Sequence, residues 1–82
     1  MYEMKAPLSG TIHLKRFDAD EMYVKVGDKV KKGDIICVID AMKMMNAIES
    51  DYDGVIEKII CEDNTLINAN EVILVLKVDN NE

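Results

Sequence analysis

Residues 27–39 are Gly-Asp-Lys-Val-Lys-Lys-Gly-Asp-Ile-Ile-Cys-Val-Ile, and a related stretch, Asp-Asn-Thr-Leu-Ile-Asn-Ala-Asn-Glu-Val-Ile-Leu-Val, occupies residues 63–75. At an offset of 36 residues, turn-forming residues align with turn-forming residues and β-branched runs align with each other. Upstream, Gly10-Thr11-Ile12 aligns with Gly54-Val55-Ile56 at an offset of 44. Two β units of this size, each unable to bury its apolar face alone, predict one shared core.

The apolar residues outside this repeat also come in short bursts. Apolar and polar residues alternate at 11–14 and again at 23–26, whereas 35–39 and 72–76 are continuous β-branched runs of strand length. Gly, Asp and Asn residues separate these segments. Short strands with regular turn signals predict an all-β sandwich or barrel. We expect one domain that covers residues 1–82, since a chain of this length holds a single small domain.

Composition excludes several classes of function. The chain carries 10 Lys and Arg against 16 Asp and Glu, a net charge of −6. This acidic balance argues against binding to nucleic acid and to an anionic membrane surface. The chain has no apolar run of ~18 residues and no apolar signal segment near Met1, so we expect it to lie in the cytoplasm.

Residues capable of catalysis or metal binding are few. The two cysteines, Cys37 and Cys61, lie in apolar runs and are expected to be small buried hydrophobes. His13 has no second His or Cys nearby, so no metal site is predicted. No Ser-His-Asp or Cys-His grouping appears. We therefore expect a chain that is not itself an enzyme.

The two offsets differ, and the difference locates an insertion. Offsets of 44 and 36 imply eight extra residues in the first copy, which we place at about 15–22. A polar insertion between strands should project as a surface loop. Because it contains Phe17 and Met22, we expect a partly ordered protrusion, anchored by Phe17 or Met22 and reaching toward a hairpin at Lys43 or toward a partner enzyme. The alternative is a mobile loop with Phe17 folded onto the core.

Residues 40–45 join the two copies, and Ala41-Met42-Lys43-Met44 is the predicted hairpin tip. Tight hairpin turns favour Asn, Asp or Gly because their central residues often need φ > 0. Met and Lys are poor choices there, and a local rule broken in this way indicates function rather than stability. The competing interpretation is an ordinary solvated lysine with methionines as core filler.

Residues 39–49, Ile-Asp-Ala-Met-Lys-Met-Met-Asn-Ala-Ile-Glu, resemble the attachment site of the biotinyl domain family. That family places its modified lysine between two methionines, after an alanine, at a hairpin tip. The resemblance extends over residues 4–78 and implies a flattened antiparallel β-barrel or sandwich of two pseudo-two-fold-related four-stranded halves. It also implies covalent biotin on Lys43, with Ala41, Met42 and Met44 as the flanking motif. The related lipoyl domains place their lysine between Asp and Ala, so the methionines argue against lipoylation.

The resemblance further implies a biotin carboxyl carrier, served by a biotin protein ligase and by biotin carboxylase and carboxyltransferase partners. The sequence is most similar to carriers of acetyl-CoA carboxylases, some of which have a protruding thumb at the place of the insertion. The best-known thumb is proline-rich, whereas residues 15–22 contain no proline, and Asp40 replaces the usual Glu. The alternatives are the carrier of another carboxylase or of a sodium-pumping decarboxylase, or a small β binding module without a cofactor. We expect an excised C-terminal domain or an unusually short carrier.

Overall fold

The structure, a computed structural model of the chain, describes residues 1–79. The described part is all-β, as predicted, and no segment of it is a helix able to cross a membrane. Residues 80–82, which the predicted domain includes, lie outside the described residues. The eight strands are Tyr2–Lys5 (β1), Gly10–His13 (β2), Lys29–Val30 (β3), Ile35–Ala41 (β4), Met44–Glu49 (β5), Gly54–Ile59 (β6), Thr65–Ile67 (β7) and Val72–Val78 (β8).

The strands form two four-stranded antiparallel sheets. Their orders are β1-β8-β6-β3 and β5-β4-β2-β7. When each strand is replaced by its counterpart in the other half of the chain (β1 by β5, β2 by β6, β3 by β7, β4 by β8, and the reverse), one sheet order becomes the other. This correspondence confirms the two-fold repeat. Each sheet contains two strands from each half, so the halves are interleaved rather than stacked. The sheets form a flat sandwich of 42 × 27 × 19 Å and do not close into a barrel.

The structure corrects the alignment of the second part of the repeat. Gly27, with φ 94°, corresponds to Asn64, with φ 60°, and these residues are 37 apart rather than 36. Their amides donate to equivalent carbonyls, Gly27 to Ile56 at 2.8 Å and Asn64 to Ile12 at 2.7 Å. The sequence comparison missed this register because asparagine substitutes for glycine at a left-handed position. The insertion therefore has seven extra residues rather than eight.

The predicted strand at 23–26 is also wrong. Val24 is buried but Val26 is 61% exposed, and the segment is irregular. The Asp28 carboxylate accepts the Lys25 amide at 2.9 Å, and the Asp28 amide donates to the Lys25 carbonyl at 3.0 Å. This side-chain-supported turn, which has Val26 and Gly27 at its centre, forms in place of the strand that the alternating pattern predicted.

Burial in the core follows the predicted strands. The continuous apolar run in β4 supplies three of the wholly buried side chains of the core, and the equivalent run in β8 supplies three more. Together with one isoleucine each from β2 and β6, they fill the space between the sheets. The largest side chains of this kind are Ile12, Ile36, Cys37, Ile39, Ile56, Ile73, Leu74 and Leu76.

Candidate functional site

Lys43 lies at the tip of the hairpin between β4 and β5, as the sequence predicted. Ala41 and Met44 form the last cross-strand pair, so Met42 and Lys43 alone make the connection. Lys43 is exposed, Met42 is 95% exposed and Met44 is 66% exposed. Among residues 1–79, no ion pair or hydrogen bond involves the Lys43 amine. The lysine and both methionines are thus presented to solvent rather than packed in the core.

The tip has a backbone conformation that its residues do not favour. Met42 has φ 53° and Lys43 has φ 66°, the left-handed pair of a type I′ turn. For an ordinary residue this conformation costs roughly 1–2 kcal/mol. The turn that joins the two strands therefore holds Lys43 in a strained geometry that other contacts must maintain.

Asn46 provides one such contact, and the sequence did not single it out for a structural role. Its side-chain Nδ2 donates to the Ile39 carbonyl at 3.2 Å and to the Met44 carbonyl at 3.1 Å. Ile39 and Asn46 lie directly opposite each other in the β4–β5 ladder. The amide therefore ties the two strands together three residues after Lys43.

The hairpin projects at one end of the sandwich. Gly10 at the start of β2 pairs with Ile67, and the next residue, Thr11, pairs with Asp40, so these residues lie near the Lys43 end. At the other end, the Tyr2 hydroxyl donates to Asp51 Oδ2 at 2.8 Å, and Asp51 follows the end of β5 that is remote from Lys43. Lys43 is thus carried at the end of the molecule opposite to Tyr2.

The insertion forms a short hairpin on the sandwich. Lys15 and Met22 form an isolated antiparallel bridge, the Arg16 amide donates to the Glu21 carbonyl at 2.7 Å, and two ion pairs, one of them Lys15 with Asp20, cross the hairpin. The predicted partly ordered protrusion is therefore confirmed. Its residues, and the ion pairs with them, are largely exposed, so these pairs contribute little to stability.

The protrusion is held at its base. Met22 is half-buried against the core and is one anchor, as expected. Asp63 is a second anchor that sequence reasoning missed, because its Oδ1 accepts the Leu14 amide at 2.7 Å from 49 residues away. Phe17 is not buried: it remains 61% exposed, with its ring 5.0 Å from that of His13.

The protrusion and the Lys43 tip are not joined by polar contacts in the described part of the chain. It begins after His13, which pairs with Val38, five residues before Lys43, or about 16 Å along the strand. No hydrogen bond or ion pair within residues 1–79 joins 15–22 to 42–45. The chain leaves β2 in the direction away from the tip, so the polar contacts of residues 1–79 do not support a reach toward the Lys43 hairpin. Contact of the protrusion with a partner enzyme stays a prediction.

The remaining reactive residues lie elsewhere. Cys37 is buried, and burial, followed by the charge of Cys61, raises the pKa of its thiol to about 12. Burial also raises the pKa of the half-buried Cys61 thiol. Within residues 1–79, no three His, Cys, Asp or Glu side chains lie close enough to hold a metal ion. The Lys43 hairpin is the strongest candidate site.

Comparison with known protein families agrees with the family resemblance of the residues around Lys43. The biotin/lipoyl family model, described as "Biotin-requiring enzyme", matches residues 2–76. The matched range includes all eight strands except the last two residues of β8. It also includes the Lys43 hairpin and the protrusion.

Individual relatives agree. The chain is 40% identical over 74 residues to the "Biotin carboxyl carrier protein of acetyl-CoA carboxylase, chloroplastic" of Glycine max. This alignment covers 90% of the present chain and 28% of the Glycine max protein. The chain is 35% identical over 74 residues to the "Biotin carboxyl carrier protein of acetyl-CoA carboxylase" of Haemophilus influenzae, covering 90% of this chain and 48% of the relative. The chain thus spans between about a quarter and a half of the length of these relatives. The match to the family model covers nearly the whole chain, which therefore belongs to the biotin/lipoyl family of biotin-requiring enzymes.

Proposed function

We propose that Lys43 is the attachment point for biotin and that the chain is a biotin carboxyl carrier domain of an acetyl-CoA carboxylase. The observation that carries the proposal is the presentation of Lys43: an exposed amine on a strained two-residue turn between two exposed methionines. Membership of a biotin-requiring family and similarity to proteins named as carboxyl carriers support the same assignment.

The residues at the tip fit a covalent cofactor. The Lys43 amine would attack the activated carbonyl of biotinyl-adenylate, forming an amide and releasing AMP and a proton. The amide removes the positive charge of the lysine, which makes no ion pair within residues 1–79. A biotin protein ligase must supply the adenylate, because the tip itself offers only the nucleophile and its exposed neighbours.

The attached ring would supply the chemistry that the chain lacks, since its ureido group accepts and donates a carboxyl group. The chain contributes presentation. A tether can keep an attached group at an effective concentration near ~mM for a partner that binds the domain. We assign catalysis to the partners, biotin carboxylase and carboxyltransferase. The cytoplasmic location stays a prediction.

The proposal is tested by carboxyl loading. The ligated protein is incubated with biotin carboxylase, MgATP and radiolabelled bicarbonate, and acid-labile label on the protein is measured, with Lys43→Arg as the control. We expect label on the wild type only, and its transfer to acetyl-CoA when carboxyltransferase is added. A ligated wild type that takes up no label would contradict the carrier function. Transfer to a different acyl-CoA or keto acid, and none to acetyl-CoA, would contradict the acetyl-CoA assignment.

A further inference from the structure

The Lys43 turn needs support that its own side chains do not provide. Met42 and Lys43 are both left-handed, and neither is the Gly, Asn or Asp that this turn favours. Met42 is 95% exposed and Lys43 is also exposed, so burial does not offset the unfavourable conformation. A residue outside the two-residue connection must therefore help to hold it.

Asn46 is placed to do so. Its Nδ2 lies 3.2 Å from the Ile39 oxygen and 3.1 Å from the Met44 oxygen. Both acceptors are backbone carbonyls, so the nitrogen of the amide, and not its oxygen, must face them. Ile39 is wholly buried in the core, and Asn46 is half-buried. One amide thus connects the buried part of β4 with the residue that follows Lys43.

The bond to Met44 distinguishes this contact from ordinary ladder pairing. It restrains the peptide group of the residue immediately after Lys43, whereas the bond to Ile39 fixes that restraint to the core. Loss of the amide would leave the Met44 carbonyl without this partner and would let the strained turn relax toward conformations in which Met42 and Lys43 have negative φ.

We propose that Asn46 is a positioning residue, which sets the direction in which Lys43 leaves the turn and thereby the rate at which a ligase acylates it. The inference rests on the proposed attachment of biotin at Lys43. Asn46 acts through the backbone and does not need to touch biotin or the ligase.

Two substitutions test this role. Asn46→Ala removes the donor, and Asn46→Asp keeps the shape but places a carboxylate against two carbonyl oxygens. The control is Val78→Ala, which removes half-buried apolar surface where β8 pairs with Gly54, at the end opposite to Lys43. Biotinylation kcat/KM is measured with a biotin protein ligase at a temperature at which all variants are folded. Amide–Hα couplings and chemical shifts of Met42 and Lys43 are measured by NMR without ligase.

We expect Asn46→Ala to lower kcat/KM about tenfold, in line with the loss of two hydrogen bonds that hold the reactive geometry. The NMR signals of Met42 and Lys43 should shift toward those of a disordered turn, whereas Val78→Ala should change neither measurement. Asn46→Asp should disturb the tip at neutral pH and recover as the new carboxyl group is protonated and regains a donor.

Unchanged NMR signals at the tip, or a kcat/KM within twofold of the wild type, would overturn the positioning role. An equal loss in Val78→Ala would show that stability alone matters. A wild type that the ligase does not modify would instead contradict the proposed function, and the NMR comparison would still decide whether Asn46 holds the turn.

Discussion

Gly10 lies so close to Asp40 that a Cβ atom at this position would stand 2.4 Å from the Asp40 carbonyl oxygen. The equivalent Gly54 has the same relationship to Lys77, also at 2.4 Å. Each glycine lets one strand approach its neighbour, Gly10 near the Lys43 hairpin and Gly54 near the other end. The repeat thus contains a matched pair of sites with different distances from the candidate site.

Alanine at either glycine should therefore destabilise the domain, and only one of them should affect ligation. Gly10→Ala and Gly54→Ala should each lower the free energy of unfolding by about 2–3 kcal/mol, since backbone atoms must move to accommodate the methyl group. Urea unfolding gives these values. Biotinylation is measured without urea, at a temperature at which both variants are folded. Gly10→Ala alone should slow it, because the added methyl group displaces β4, the strand that leads to Lys43. Equal ligation rates for the two variants would contradict this.

The methionines at the tip should matter for recognition and not for folding. Met42→Ala and Met44→Ala should each change the free energy of unfolding by no more than about 0.5 kcal/mol, because their side chains are exposed. Ile39→Ala, in the same hairpin but wholly buried, should cost about 2–5 kcal/mol and is the control. Thermal unfolding separates the two groups. A markedly lower melting temperature for Met44→Ala would show that this methionine belongs to the core.

The protrusion should be dispensable for the fold. Replacing residues 16–21 by Asn-Gly keeps the Lys15–Met22 pair and closes it with a favoured turn. We expect a melting temperature within roughly 4–8 °C of the wild type, since Met22 and the Asp63 contact are retained. Ligation or carboxyl transfer should be slower if the protrusion contacts a partner. Wild-type rates for both reactions in a folded variant would exclude that role.

The thiols should be unreactive in the folded state. The thiolate is the nucleophile, and burial raises the pKa of Cys37 to about 12 and also raises that of Cys61. At pH 8, an aromatic disulfide reagent should label Cys61 slowly and Cys37 more slowly still, whereas both should react rapidly in denaturant. Labelling of native Cys37 at the rate of a free cysteine would contradict its placement in the core.

Sequence patterns predicted the strands that depend on simple periodicity or composition. The runs in β4 and β8 are continuous and β-branched, and the tip between Ala41 and Met44 follows from the two flanking strands. The alternating segment at 23–26 failed because a local carboxylate–amide contact at Asp28 produces a turn. Local pattern does not reveal which of two conformations a side-chain contact will favour.

Long-range contacts were beyond the reach of sequence reasoning. Asp63 accepts the Leu14 amide across 49 residues, and nothing in the polar sequence near Asp63 distinguishes it from an ordinary turn residue. Asn46 was noted only as part of the motif, since its hydrogen bonds to Ile39 and Met44 depend on the register of the hairpin. The position of Asn64 at a left-handed φ likewise became visible only with the fold.

Mass spectrometry of the ligase reaction tests the central claim most directly. The wild type and Lys43→Arg are incubated with a biotin protein ligase, ATP and biotin. The mass of each intact protein is measured, and peptide mapping then locates the modified residue. We predict one biotinyl group per wild-type chain, located on Lys43, and none on Lys43→Arg. A biotinyl group on Lys43→Arg, or on any other lysine of the wild type, would contradict the assignment.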